Sequence, residues 1–155
     1  MSVVAAIMCI GFVREEVCMS EVGGEAGSEV GREAGSERIS YLFIDDSRVS
    51  RMKIRQVVVQ KHPDWELHEA ASGEEAHDKT RSIRPDLISV DINMPGMSGL
   101  EAIDQLRKNC PLAKIVLLSG NIQDAIRARA VELKVGFVEK PITEASIAKV
   151  LAFLE

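Results

Sequence analysis

Four segments of this chain run through apolar residues and finish on a group that can do chemistry. Tyr41-Leu-Phe-Ile44 leads into Asp45-Asp46, and Leu87-Ile-Ser-Val90 into Asp91. Ile115-Val-Leu-Leu118 leads into Ser119-Gly120, and Phe137-Val138-Glu139 into Lys140. If the strands behind these ends are neighbours, three carboxylates share one small pocket, where like charges repel by several kcal/mol unless neutralised. A hard divalent cation does this best, because every ligand on offer is an oxygen and Mg²⁺ keeps water in its remaining positions. Lys140 adds a mobile point charge suited to a phosphoryl oxygen, and Ser119 a hydroxyl donor. A nucleophilic carboxylate, a bound metal and donors for equatorial oxygens are the parts of phosphoryl transfer. Asp91 is the best-placed nucleophile, since it ends a central strand and precedes the open loop Ile92-Asn-Met-Pro-Gly-Met-Ser98.

Each residue also has an ordinary structural role open to it. Asp91 alone could be a turn or cap residue, and Asp45-Asp46 could cap the next helix. Ser119 could be a loop hydroxyl, and Lys140 a solvated edge charge. What favours chemistry is that all of them end separate strands of one sheet.

The elements that must position these groups follow from the periodicity. After Asp46 a helical pattern continues from Ser50 through Ile54, Val57, Val58 and Lys61, the last by its stem. Trp65 to Ala70 alternates as a second strand. Ser72-Gly-Glu-Glu75 forms a capping box for a helix that ends before Pro85. A helix from about Gly99 to Lys108 follows the Asp91 loop, which Pro95 and Gly96 turn. Asn121, with Asp124 three residues on, starts the next helix. The fifth strand is Phe137 to Lys140, broken by Pro141. Thr143 caps the last helix, whose apolar stripe is Ile147, Val150, Leu151 and Leu154. Five β-α alternations predict an α/β fold, a doubly wound parallel sheet with right-handed crossovers and helices on both faces. Ligands of such sheets bind outside the carboxyl ends of the strands.

The bulk numbers agree with one such domain. The chain has 155 residues, 46% of them apolar with few aromatics, as a buried parallel sheet requires. The net charge of −5 provides no basic stripe for nucleic acid. Cys9, Cys18 and Cys110 lie far apart without metal-ligand spacing, so reduced thiols of a cytoplasmic protein are expected. The longest apolar run, Val3 to Val13, has 11 residues, too few to span a bilayer, and only Met1-Ser2 precede it, so no export signal or membrane partner is expected. Residues 1–39 hold three basic groups against seven Glu and a tandem repeat, Glu21-Val-Gly-Gly-Glu-Ala-Gly-Ser28 then Glu29-Val-Gly-Arg-Glu-Ala-Gly-Ser36. This composition predicts a flexible low-complexity leader, not necessarily native, before a domain at 40–155.

From Tyr41 onward the sequence resembles the receiver domains of bacterial response regulators, most of all the single-domain, chemotaxis-type ones. The resemblance is carried by Asp45-Asp46, Asp91-Ile-Asn-Met-Pro95 with Gly96 and Gly99-Leu100, Ser119-Gly120, Phe137, and Lys140-Pro141. It implies a flavodoxin-like sheet of five strands in the order 2-1-3-4-5. It also implies Asp91 as phospho-acceptor, served by a sensor histidine kinase or a histidine phosphotransfer protein. Mg²⁺ would be bound by the carboxylates of Asp46 and Asp91, the backbone carbonyl of Asn93, and Asp45 through water. Lys140 and Ser119 would hold the phosphoryl oxygens. Ser119 and Phe137 would act as the switch that remodels the face of the fourth helix, fifth strand and fifth helix for a downstream protein. From the residues alone, Phe137 reads equally as a core aromatic. In one place the pattern departs: the family often ends the fourth helix on Gly, whereas Lys134-Val135 precede Gly136 here, in a segment one residue shorter.

The expected function is thus a stand-alone receiver that catalyses only its own phosphorylation and dephosphorylation. The chain stops one helix after Lys140-Pro141, so no output domain and no direct transcription control are expected. A haloacid-dehalogenase-type enzyme would want a second Asp two residues after the nucleophile, where Asn93 stands. A flavin site would need a Gly/Ser/Thr-rich phosphate loop after the first strand. The remaining alternative is a phosphorylation-independent protein-binding module of receiver fold.

Overall fold

The computed structural model describes residues 38–120 and 123–155. Residues 1–37 of the leader, with its repeat, Cys9 and Cys18, and residue Asn121 lie outside the described residues. The elements are β1 (Ser40–Ile44), α1 (Arg48–Lys61), β2 (Glu66–Ala70), α2 (Gly73–Lys79), β3 (Leu87–Asp91), α3 (Gly99–Asn109), β4 (Lys114–Ser119), α4 (Asp124–Glu132), β5 (Gly136–Glu139) and α5 (Glu144–Leu151), closed by a 3₁₀ turn at Ala152–Leu154. All pairings are parallel and the order is β2-β1-β3-β4-β5, the flavodoxin-like order. Among the described residues, no helix is long and apolar enough to cross a membrane.

Strand alternation sends β1 into two cores. Leu42 and Ile44 face one layer with Ile88, Val90, Leu117 and, from α3, Ala102, Ile103 and Leu106. Tyr41 and Phe43 face the other with Val116, Leu118, Ile54 and Val58 of α1, and Ile147 and Val150 of α5. Burying β1 on both faces explains its unbroken apolar run, as parallel sheets require. The edge strand β2 alternates only shallowly, with Ala70 its one buried residue. Trp65 stands just before β2 and stacks on His62, ring centroids 4.3 Å apart.

Several local expectations are corrected. The Ser72 hydroxyl accepts from the Glu75 amide, but Glu75 Oε2 takes the Ala71 amide and its other oxygen pairs with Lys79, so the reciprocal box does not close there. Boxes close instead at Ser98/Glu101 and Thr143/Ser146. Helix α4 begins at Asp124 after Gln123, without a side-chain cap. Lys61, one turn beyond Val58, pairs with Glu144 of α5 at 3.2 Å. The fifth strand stops at Glu139, one residue short of Lys140, which is joined to Pro141 by a cis bond.

The end of α4 shows how the missing glycine is accommodated. Lys134 itself takes the left-handed conformation, φ +53°. Its amide donates to the Val131 carbonyl, and that of Val135 to the Ala130 carbonyl, both at 3.0 Å. These two bonds form a Schellman motif, and the Arg107 guanidinium donates to the Leu133 carbonyl beside it. A side chain in that conformation costs roughly 1–2 kcal/mol, which glycine escapes. Lys134→Gly is therefore expected to raise the unfolding free energy by about 0.5–1 kcal/mol, net of the entropy gained by the unfolded chain. Urea denaturation measures it, and an unchanged or lower midpoint would mean the Lys134 side chain has a stabilising role of its own.

Candidate functional site

The carboxyl ends of β1, β3, β4 and β5 converge as expected. In register, Ile44 pairs with Val90, Asp91 with Leu118, and Ser119 with Glu139. Asp45, Asp91 and Ser119 are buried there, while Asp46 is exposed. One carboxylate oxygen from each of Asp45, Asp46 and Asp91 lies within 4.8 Å of the others.

Asp45 is fully buried and fully committed. Its Oδ1 accepts the Ser47 amide at 2.8 Å and its Oδ2 the Lys140 ammonium at 2.8 Å. The Arg51 guanidinium donates to its backbone carbonyl at 2.7 Å, which ties the β1–α1 turn to the helix. Asp91 Oδ1 accepts the Asn93 amide at 3.2 Å, and Oδ2 lies 3.1 Å from Lys140 Nζ. Lys140 is placed by its own amide, which donates to the Ser119 carbonyl at 2.9 Å.

The electrostatics follow from that geometry. Burial lifts the Asp91 carboxyl above its ordinary range. Lys140 and the Asn93 amide pull it down and Asp45 pushes it up, with a net rise. Burial alone would lower the Lys140 ammonium, but its hydrogen bonds and charge contacts with Asp45 and Asp91 outweigh that and leave it raised. Three carboxylates against one ammonium leave two negative charges on an all-oxygen donor set. That excess and those donors fit a hard divalent cation.

The loop after Asp91 is built tightly. Gly96 turns it at φ +81°. Gly99 opens α3 pressed against the end of β3: an added Cβ would lie 2.4 Å from the Asp91 carbonyl oxygen and 2.9 Å from Ile92 Cα. Only glycine fits that approach. Asn93 itself is exposed. Phe137 is half-buried, with the Arg127 guanidinium 5.5 Å above its ring, so it sits at the surface of the sheet edge and outside the fully buried core. Sequence reasoning missed Arg51 and Arg127, because neither stands next to a motif. A cleft of about 850 Å³, lined by Arg107, Lys114, Lys134 and Phe153 among others, opens at the amino ends of β4 and β5 and includes none of the residues named for phosphoryl transfer.

Comparison with known proteins agrees with this geometry. The family described as "Response regulator receiver domain" matches residues 41–152. The chain is similar to chemotaxis protein CheY of Thermotoga maritima, 31% identical over 112 residues that cover 71% of this chain and 92% of that one. Among solved structures, chemotaxis protein CheY4 of Vibrio cholerae matches with a TM-score of 0.69 and 25% identity, over 76% of this chain and 99% of that one. A response regulator of Burkholderia pseudomallei, solved with a phosphorylated aspartic acid and a calcium ion, matches with a TM-score of 0.66 and 25% identity, over 73% of this chain and 66% of that one.

Proposed function

The chain belongs to the response regulator receiver domain family, and from that premise we propose that its 40–155 region accepts a phosphoryl group on Asp91 and acts as a cytoplasmic signalling module. The observation that carries the reading is Asp91 Oδ2 at 3.1 Å from Lys140, with oxygens of Asp45, Asp46 and Asp91 within 4.8 Å of one another. The donor is the phosphohistidine of a sensor kinase or a histidine phosphotransfer protein. An Asp91 oxygen attacks phosphorus, the P–N bond breaks, and the imidazole leaves with the electron pair.

Asp46 and Asp91, with the Asn93 carbonyl, would hold Mg²⁺. Asp45, already engaged by Ser47 and Lys140, would serve it through water. When bound, the ion supplies neutralisation of the charge that gathers on the transferring oxygens. Lys140 gives up its contact with Asp91 for a phosphoryl oxygen while keeping Asp45, and Ser119 donates its hydroxyl to another. Ser119 and Phe137 then carry the change to the α4-β5-α5 face, where a downstream protein binds. The half-buried ring of Phe137 has room to change position, which a fully packed core aromatic lacks.

The test is intact mass after incubation with Mg²⁺ and acetyl phosphate, followed by peptide fragmentation. One added phosphoryl group, mapped to Asp91 and absent when EDTA replaces Mg²⁺, is the expected result. A folded protein that takes no phosphoryl group would instead be a phosphorylation-independent binding module, and the proposal would fail.

A further inference from the structure

We infer that Glu74, in the first turn of α2, is a positioning residue for this site, holding the loop after Asp91 from outside. The inference rests on the phospho-acceptor reading. The inner half of that loop is fastened by its own chain. The Asn93 amide donates to Asp91 Oδ1, the Gly99 amide to the Ile92 carbonyl at 3.4 Å, and Met94 is buried. Its outer half is held by another element. The Met97 amide donates to Glu74 Oε1 at 3.2 Å, across 23 residues of sequence.

Two further contacts make α2 and the loop one body. A Cβ built on Gly96, the turn residue, would lie 3.3 Å from the same Glu74 oxygen, so the carboxylate stands directly against the turn. A Cβ on the buried Gly73 would lie 2.9 Å from Met97 Sδ and 3.2 Å from its Cβ, so α2 begins in direct contact with Met97. A glutamate in the first turn already suits the helix dipole. Its bond to Met97 goes beyond that local role, because it fixes the loop that carries Asn93. Without Glu74 the loop must be ordered when the cation binds, and the cost appears as weaker affinity.

The experiment pairs Glu74→Ala with Glu74→Gln, which keeps the Oε1 acceptor and loses the charge. Amide hydrogen exchange of peptides covering 92–98 is read in metal-free protein, and Mg²⁺ affinity by calorimetry. Glu74→Ala is expected to speed loop exchange severalfold and to weaken Mg²⁺ binding about fivefold, the scale of one lost hydrogen bond. Glu74→Gln should stay within about twofold of wild type on both readouts. A Gln variant as weak as the Ala variant would overturn the inference, since Glu74 would then act by its charge alone. Unchanged exchange in the Ala variant would overturn it too. A wild-type protein that binds no Mg²⁺ would overturn the acceptor reading and this inference with it, and the metal-free exchange data tell that failure from the others.

Discussion

Asp91→Asn is expected to abolish the phosphoryl adduct and, in metal-free buffer at neutral pH, to make the protein more stable. The first effect follows from removing the nucleophilic oxygen. The second follows from burial: the Asp91 carboxyl is raised mainly because its charged form is desolvated, against the pull of Lys140. A carboxyl raised in the folded state adds stability in full below its unfolded pKa and loses that contribution as pH climbs through its folded pKa. The Asp91 contribution to wild-type stability therefore falls from acid toward neutral pH in the carboxylate range, and the Asn variant is spared that loss. Its advantage should be smallest at acid pH and reach roughly 1 kcal/mol at neutral pH, a usual scale when a residue kept for function is replaced. Saturating Mg²⁺ should reverse the order, because only wild type gains fully from binding. Urea titrations in EDTA and in Mg²⁺ across that pH range decide the matter. A less stable Asn variant in EDTA would mean that the Lys140 contact outweighs the desolvation of Asp91.

Lys140→Ala is expected to be the most damaging single change at the site. Lys140 bridges Asp45 at 2.8 Å and Asp91 at 3.1 Å, and the Asp45 side chain has no exposure at all. Removing the cation strands two buried carboxylates, and breaking such a pair from one side costs about 3–5 kcal/mol. The Lys140 ammonium is raised in the folded state, so its contribution is complete at neutral pH and fades only in alkali, as pH passes its folded pKa. The loss in the variant should shrink in acid, as Asp91 protonates, and Mg²⁺ should restore part of it. Combining the change with Asp91→Asn should cost less than the two effects predict separately, because one carboxylate is no longer stranded. A loss below about 1 kcal/mol would place this pair with ordinary surface ion pairs.

How much of this was legible in the sequence depends on where each signal lies. Asp45, Asp91 and Ser119 could be read because each follows an apolar run directly, and Lys140 because it stands two residues past Phe137-Val138; parallel pairing then places such ends together. The strand order came from the resemblance, since alternation alone leaves the neighbours of β1 open. Ser-x-x-Glu occurs at both 72–75 and 98–101, yet the box closes only at the second. Glu75 is drawn away by Lys79 and the Ala71 amide, a competition that spacing does not display. The α4 start was misplaced because Gln123 precedes the helix without a capping side chain. Glu74 was invisible for another reason: its partner is a backbone amide 23 residues away, and an amide has no residue type to read.

The chain has one tryptophan, and it stands at the amino end of β2, stacked on His62, whereas the phosphoryl chemistry proposed here sits at the carboxyl ends of the strands. Its emission is thus a built-in optical gauge of whether the domain is folded, without direct contact with ion or phosphoryl group. Denaturation curves recorded by Trp65 can be compared across Asp91, Lys140 and Glu74 variants without a local quenching artefact. Occupancy itself has to be read by mass or heat, or by a fluorophore installed near the rim.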